Sequence, residues 1–294
     1  MKDLGAISCF LGICFKQENG CITMSQKQYL NNKLIKYNLN ECKTRSTPCE
    51  LAGYENNTGS EMEGSEDGGV SNRLYREMVG SLLYATTCTR PDLSWAVSKL
   101  SQHLSNPTAA DFAMLKHVFR YVLGTLDNCL SFRKTDNGLQ LHGYSDSDWG
   151  ASLDRRSTSG LVFMLAEGGP AIMWKSKKQA TVALSTCEAE YMALCSATQE
   201  AVYLANLFRS LGVTSSTAPI PIYVDNQGTM DLAKNPVSHQ RSKHIDIRYH
   251  YVRECVNNNK VVLSYVPSED NPADLMTKAA SKVKITRFKP LLFG

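Results

Sequence analysis

The sequence predicts an α/β protein: a mixed sheet with helices against it, preceded by a smaller hairpin-plus-helical region. Three observations carry this expectation. Leu139, Leu141 and Gly143 alternate with Gln140, His142 and Tyr144, the period-2 pattern of a strand in a packed sheet. Leu194, Ala197, Ala201, Leu204, Phe208 and Leu211 recur at spacings of three and four, the apolar stripe of a long helix over 187–211. Beyond Asp127, strands are joined first by short loops and then by helical connections, as in a mixed sheet with helices packed on it.

Taken in order, residues 8–15 read as a strand, Asn19-Gly20 as a hairpin turn and residues 22–24 as the returning strand. Ser25-Gln26-Lys27-Gln28 has the form of a capping box, with Tyr29, Leu30, Leu34 and Tyr37 on the helix it starts. Glu50 to Asn72 is rich in Gly, Ser, Asn and Glu and reads as a mobile loop. Three helices are expected over 73–87, 91–104 and 108–123, because Pro91 and Pro107 fit helix starts but not interiors. Strands are expected over 139–144, 160–165, 171–175, 220–224 and 261–266. The expected partition is 1–49, 50–72, 73–127 and 128–294.

Composition narrows the class of protein. With 43% hydrophobic and 20% charged residues the chain can bury a sizeable core. A net charge of +4 is too mild to identify a nucleic-acid binder, so local clusters must carry that argument. The ten cysteines form no Cys-x-x-Cys pair, against a zinc ribbon, and the absence of a leader at Met1 argues against a disulfide framework. A reducing compartment, cytoplasm or nucleus, is expected, with no membrane partner, since no apolar run approaches the roughly 20 residues that span a bilayer.

The chemistry is concentrated in acids at the ends of elements. Asp146 and Asp148 close the strand-like run at Gly143-Tyr144-Ser145, and Glu188 and Glu190 open the long helix. Asp225 ends a strand, and Asp274 follows Asn271-Pro272 at the start of a last helix. Glu190 sits four before Leu194 on the buried stripe, while Glu188 lies about 200° around the helix from it. Glu188 is also three after Ser185, where a capping glutamate belongs. Capping therefore falls to Glu188 and chemistry to Glu190.

Each acid also has an ordinary reading. Asp274 suits a helix start, Asp225 a strand-end turn, and Asp148 a pairing with Arg155 or Arg156. The order Asp, Glu, Asp, Asp on strand, helix, strand and helix ends favours a shared site for magnesium or manganese. Tyr223-Val224-Asp225-Asn226 resembles a polymerase Tyr-x-Asp-Asp box, but its second aspartate is an asparagine and no suitable partner strand precedes it. His244 reads either as a proton carrier or as a structural histidine beside Ile245, Tyr249 and Val252. Lys175, Lys177 and Lys178 beside Trp174 offer a cationic surface for phosphates. Arg241, Lys243, Arg248 and Arg253 read either the same way or as a solvated face.

Segments spread over nearly the whole chain resemble the carboxy-terminal part of the polyprotein of copia-type long-terminal-repeat retrotransposons. They include Met1-Lys2-Asp3-Leu4-Gly5, Phe10-Leu11-Gly12-Ile13, Ser25-Gln26-Lys27-Gln28-Tyr29, Val79-Gly80-Ser81-Leu82-Leu83-Tyr84 and Thr89-Arg90-Pro91-Asp92. Further on they include Gly143-Tyr144-Ser145-Asp146, Ser157-Thr158-Ser159-Gly160, Trp174-Lys175-Ser176-Lys177-Lys178-Gln179, Glu188-Ala189-Glu190-Tyr191-Met192-Ala193 and Lys243-His244-Ile245-Asp246-Ile247-Arg248-Tyr249-His250. The resemblance implies that residues to 127 are the end of a reverse-transcriptase palm with thumb and connection. It implies that 128–294 form a ribonuclease H-like domain, a five-stranded mixed sheet with helices on both sides. The family's two-metal site then falls on Asp146, Glu190, Asp225 and Asp274.

The activity implied by the resemblance is hydrolysis of the RNA strand of an RNA:DNA hybrid with two Mg2+ or Mn2+ ions, Asp146 bridging both. Asn226 and Gln227 are candidates near the 2′ hydroxyl. The upstream palm and fingers of a longer polyprotein are an expected partner, and polymerase activity is not expected of this chain without a Tyr-x-Asp-Asp segment. Unlike several ribonucleases H, the stretch Val266-Pro267-Ser268-Glu269-Asp270 carries no histidine loop before Asp274. The competing expectation is a retroelement remnant that binds nucleic acid without cutting it.

Overall fold

The computed structural model describes residues 5–50, 68–134, 138–152, 154–214, 216–234 and 243–294. Most of the expected loop between Glu50 and Asn72 lies outside the described residues. The chain forms two compact units: Met1–Lys134 with Gly168–Pro170 and Ala279–Gly294, and Thr135–Glu167 with Ala171–Lys278.

In the first unit, β1 (Cys9–Phe10), β2 (Ile13–Glu18), β3 (Cys21–Ser25) and β4 (Leu130–Arg133) form an antiparallel sheet in that order. Asn19 and Gly20, at φ 49° and 73°, supply the two left-handed residues that a tight hairpin turn requires. The expected single strand over 8–15 is split, because Leu11 and Gly12 also take positive φ and turn the chain between β1 and β2. Helix α1 (Lys27–Lys36) starts one residue later than the capping box implied. Gln26 is its N-cap, and the Ser25 hydroxyl accepts from the Lys27 amide at 3.1 Å.

Helices α2 (Gly68–Cys88), α3 (Ser94–Ser101) and α4 (Ala109–Gly124) come next, with a 3-10 turn at Pro91–Leu93. Pro91 thus opens a 3-10 turn rather than a helix running to Leu104. Thr108 and Asp111 form a reciprocal capping box on α4. The core joins Leu30 and Leu34 of α1 to Val79, Leu82, Val97, Leu100, Leu115, Val118 and Phe119.

Beside this core lies the fully buried Arg90. Its guanidinium forks onto Asp92 at 2.9 and 2.8 Å and donates to the Thr125 hydroxyl at 2.7 Å, while the Tyr121 hydroxyl donates to Asp92 at 2.8 Å.

The second unit is a five-stranded mixed sheet in the order β7-β6-β5-β8-β9. Its strands are β5 (His142–Ser147), β6 (Thr158–Met164), β7 (Ala171–Lys178), β8 (Ile220–Val224) and β9 (Val261–Tyr265). β5, β6 and β7 pair antiparallel, whereas β5–β8 and β8–β9 are parallel. The crossovers between parallel strands carry α5 (Thr186–Ser210), α6 (Gln227–Lys234) and α7 (Lys243–Asn257). This is the ribonuclease H-like arrangement expected from the resemblance.

One face of the sheet, with Leu161, Phe163, Ile222, Val224 and Leu263, forms a core with Tyr191, Leu194, Ala197, Ala201 and Leu204 of α5. Leu211, the last residue of the expected stripe, is exposed, because α5 has already ended at Ser210. β5 begins at His142 and continues to Ser147, three residues past the expected end, because β6 keeps pairing with it as far as Ser147↔Ser159. Asp146 is therefore inside the ladder rather than beyond it.

On the opposite face a 3-10 turn (Pro272–Met276) packs against β6 at Gly160. A Cβ there would meet the Ala273 carbonyl at 2.7 Å, Thr277 Cγ2 at 2.7 Å and Met276 Cβ at 2.8 Å. The turn is closer than any side chain allows.

The expected partition put all of 128–294 in one domain. Contacts group the residues differently: β4 extends the β3 ladder, and the terminal helix (Lys282–Phe293) packs on β4 and on the Pro91–Leu93 turn.

Two stability outcomes are expected. Arg90→Ala leaves Asp92 buried without its ion pair and should cost about 3–5 kcal/mol in urea unfolding. Gly160→Ala should cost about 1–3 kcal/mol by overpacking against the 272–277 segment, measured the same way.

Candidate active site

Three elements of the second unit deliver carboxylates to one place. Asp146 lies in β5 opposite Gly160, Glu190 opens the second turn of α5, and Asp225 comes directly after β8. One carboxylate oxygen from each lies within 4.8 Å of the other two. Asp146 and Glu190 are buried, at 3% and 4% exposure, and Asp225 is half-buried.

The local sequence explains why these side chains meet. The Ser185 hydroxyl caps α5 by accepting from the Glu188 amide at 3.2 Å, and the Glu188 carboxylate accepts from the Leu184 amide at 2.8 Å. Glu188 is thus used in capping, as its position implied, although it bonds the residue before the cap. Two residues on, Glu190 Oε1 accepts from the Ser147 amide at 3.2 Å. Gln179 steadies the start of α5, donating to the Ala189 carbonyl at 3.0 Å and the Ser159 hydroxyl at 2.9 Å.

Asp274 reaches the same neighbourhood from the 3-10 turn. Asn271 caps that turn by accepting from the Ala273 amide at 3.1 Å and fastens it to β5 by donating to the Ser145 carbonyl at 2.9 Å. Asp274 is buried, at 2% exposure, and pairs with Lys278 Nζ at 2.5 Å. It stands outside the trio of converging oxygens, but its charge acts on Asp146. The Thr277 hydroxyl donates to Asp146, and the Ser268 hydroxyl donates to Asp225 at 2.7 Å.

Burial without full compensation marks the cluster. Desolvation and the neighbouring charges of Asp225 and Asp274 push the Asp146 carboxyl up to about 7, against the Thr277 hydrogen bond that lowers it. Desolvation and the charges of Asp146 and Asp225 push Glu190 up to about 9. Glu190 Oε2 is buried with no hydrogen-bond partner among the described residues. Burial disfavours the Lys278 ammonium, but its bond to Asp274 and the surrounding aspartates outweigh that and raise its pKa. Hard oxygen donors with one orphaned buried oxygen fit a divalent cation such as Mg2+ or Mn2+.

Other candidates have structural partners. Asp148 accepts from the Thr158 amide and helps hold the β5–β6 pair. Asn226 accepts from the Thr229 amide at 2.9 Å at the start of α6. Lys175 pairs with Glu200 at 3.3 Å and Lys178 with Asp154 at 2.9 Å, while Lys177 is exposed. Arg248 approaches Met192 Sδ on α5, and Arg253 donates to the Leu232 carbonyl at 3.2 Å. Arg241 lies outside the described residues, as do the side chains of Lys243 and His244.

Asn271, Thr277, Ser268 and Lys278 were not anticipated from sequence. Lys278 could have been, since it stands four after Asp274, an ion-pair spacing within one turn of helix.

Residues 1–51 match the family described as reverse transcriptase (RNA-dependent DNA polymerase). The chain is 36% identical over 299 residues to the retrovirus-related Pol polyprotein from transposon TNT 1-94 of Nicotiana tabacum, covering 99% of this chain and 22% of that protein. It is 37% identical over 290 residues to the corresponding polyprotein from transposon RE2 of Arabidopsis thaliana, covering 98% of this chain and 19% of that one. The crystal structure of RNase H1 from Halobacterium salinarum NRC-1 aligns over 47% of this chain and 94% of its own, at 17% identity and a TM-score of 0.36.

Sheet topology defines an α/β protein with a ribonuclease H-like unit, joined to the first unit with its four-stranded antiparallel sheet. The chain belongs to the family of copia-type retrotransposon Pol polyproteins, and it spans about a fifth of the length of the Pol polyproteins from TNT 1-94, RE2 and RE1.

The raised carboxyls set a pH dependence. In the unfolded chain these acids release their protons near about pH 4, but in the folded protein only near about 7 and about 9. Over that window the folded form binds more protons, so stability falls as pH rises. The metal-stripped protein is expected to melt at a lower temperature near about pH 9 than near about pH 5, and millimolar Mg2+ to flatten that difference, in thermal scans of both forms.

Proposed function

We propose that the ribonuclease H-like unit hydrolyses the RNA strand of RNA:DNA hybrids during retroelement reverse transcription, leaving a 5′ phosphate and a 3′ hydroxyl. The observation that carries this reading is the convergence of Asp146, Glu190 and Asp225 from three separate elements, their oxygens within 4.8 Å of one another.

In this reading Asp146, Glu190 and Asp225 would hold divalent metal, with Asp274 as a further ligand. Divalent cations there supply Lewis acidity, which activates the attacking water and stabilises the departing 3′ oxygen. The protein's own part is orientation. The Thr277 hydroxyl fixes the Asp146 carboxylate, Ser268 fixes Asp225, and the Ser147 amide fixes Glu190. Each bond limits the rotation of one acid of the trio.

Lys177 and the partly neutralised Lys175 and Lys178 present a basic strip along β7 that suits backbone phosphates without reading sequence. Arg248 and the segment with Arg241 and Lys243 are further candidates for the same role. The geometry of Asp225 favours a nuclease over a polymerase. β8, which precedes it, is an interior strand between β5 and β9, and Asp225 faces Asp146 and Glu190 rather than a second aspartate beside it. The upstream palm and fingers of a longer polyprotein are the proposed protein partner. Among the described residues no helix is long and apolar enough to cross a membrane.

Cleavage of a labelled RNA:DNA hybrid with Mg2+ or Mn2+ tests the proposal. Asp146→Asn is expected to lower the rate at least about a hundredfold, and Ser268→Ala about tenfold, since partners of metal ligands typically contribute that much. Equal cleavage by wild type and Asp146→Asn overturns the nuclease reading. Hybrid binding by wild type without any cleavage identifies a remnant that binds and does not cut.

A further inference from the structure

The carboxylate cluster already holds a cation supplied by the chain. Lys278 Nζ lies 2.5 Å from Asp274 Oδ1, and the charges of Asp146 and Asp225 act on it together with that of Asp274. The two partners differ in freedom. Asp274 has 3% of its side chain exposed, whereas Lys278 has 53%. The acid is fixed in the packed turn, and the base is a point charge on a flexible four-carbon stem open to solvent.

We propose that Lys278 is a positioning residue that acts as a resident counter-ion: it occupies the Asp274 end of the cluster while no divalent ion is bound and is displaced when one arrives. This rests on the reading of the cluster as a metal site. An ammonium and a divalent cation compete for the same oxygens, and at contact distance in a partly desolvated site they repel strongly. Lys278 therefore weakens binding of the ion that Asp274 serves and stabilises the metal-free fold, in which Glu190 Oε2 is already buried without a partner among the described residues. Removing the lysine has two effects of opposite sign, tighter metal binding and a weaker metal-free fold. A lysine that only held the 272–277 turn in place would weaken both when removed.

The full chain, stripped of metal, is titrated with Mn2+ and with Ca2+ by calorimetry as wild type, Lys278→Met and Lys278→Arg. In Lys278→Met the weaker binding step tightens by about tenfold or more, whereas Lys278→Arg stays near wild type. In an Asp274→Asn background, Lys278→Met adds no tightening, as a pairwise coupling requires. A second measurement uses wild type alone and needs no variant to fold: acetylation of Lys278 by a dilute amine-reactive reagent, read by mass spectrometry, accelerates several-fold on adding Ca2+ while Lys177 is unchanged. If wild type binds metal but Lys278→Met binds no more tightly, or if Ca2+ leaves Lys278 acetylation unchanged, the counter-ion role is overturned and the metal reading stands. If neither protein binds either ion, the metal reading falls and this inference falls with it.

Discussion

The arrangement of the site depends on how closely the 272–277 segment approaches the sheet at Gly160. With no side chain at that position, the Ala273 carbonyl, the Met276 side chain and the Thr277 side chain all lie where a Cβ would be crowded. Gly160 is opposite Asp146 in the ladder, so the same approach carries Thr277 to the Asp146 carboxylate. It also lets Asn271 reach the Ser145 carbonyl. Asp274 is thereby held near the trio by backbone packing rather than by a long flexible loop. A missing methyl group on one strand decides where a carboxylate on a later segment is held.

The cluster works against the stability of the fold that contains it. Burying carboxylates together raises their proton affinity, and one oxygen of Glu190 is left without a partner among the described residues. Elsewhere in the chain a buried charge is treated differently: Arg90 is satisfied by Asp92 and Thr125, with Tyr121 completing the set. The contrast separates a charge that supports the fold from charges left open to a ligand.

Much of this was legible in the sequence because two kinds of periodicity were strong. The three-and-four stripe of α5 placed Glu190 on the sheet side, and β8 appears at the residues its apolar pattern marked. The end of β5 was misread because polar Ser145, Asp146 and Ser147 look like a loop, whereas pairing with β6 continues through them. The capping of α1 slipped by one residue because Ser25 remained in β3. Thr277 and Ser268 left no local signal: their role comes from contacts to Asp146 and Asp225, residues far away in the chain.

The terminal helix brings a consequence for the order of assembly. Phe288, Leu292 and Phe293 are buried, and the helix packs on β4 and on the Pro91–Leu93 turn of the first unit, which otherwise has all its residues by Pro170. A ribosome makes the chain from the amino end. The sheet bearing the carboxylates therefore has all its residues by Lys278, when the four-stranded unit still lacks Lys282–Phe293. The sheet that holds the carboxylates can therefore close first, and the surface that Phe288, Leu292 and Phe293 cover stays open until translation reaches the terminal helix.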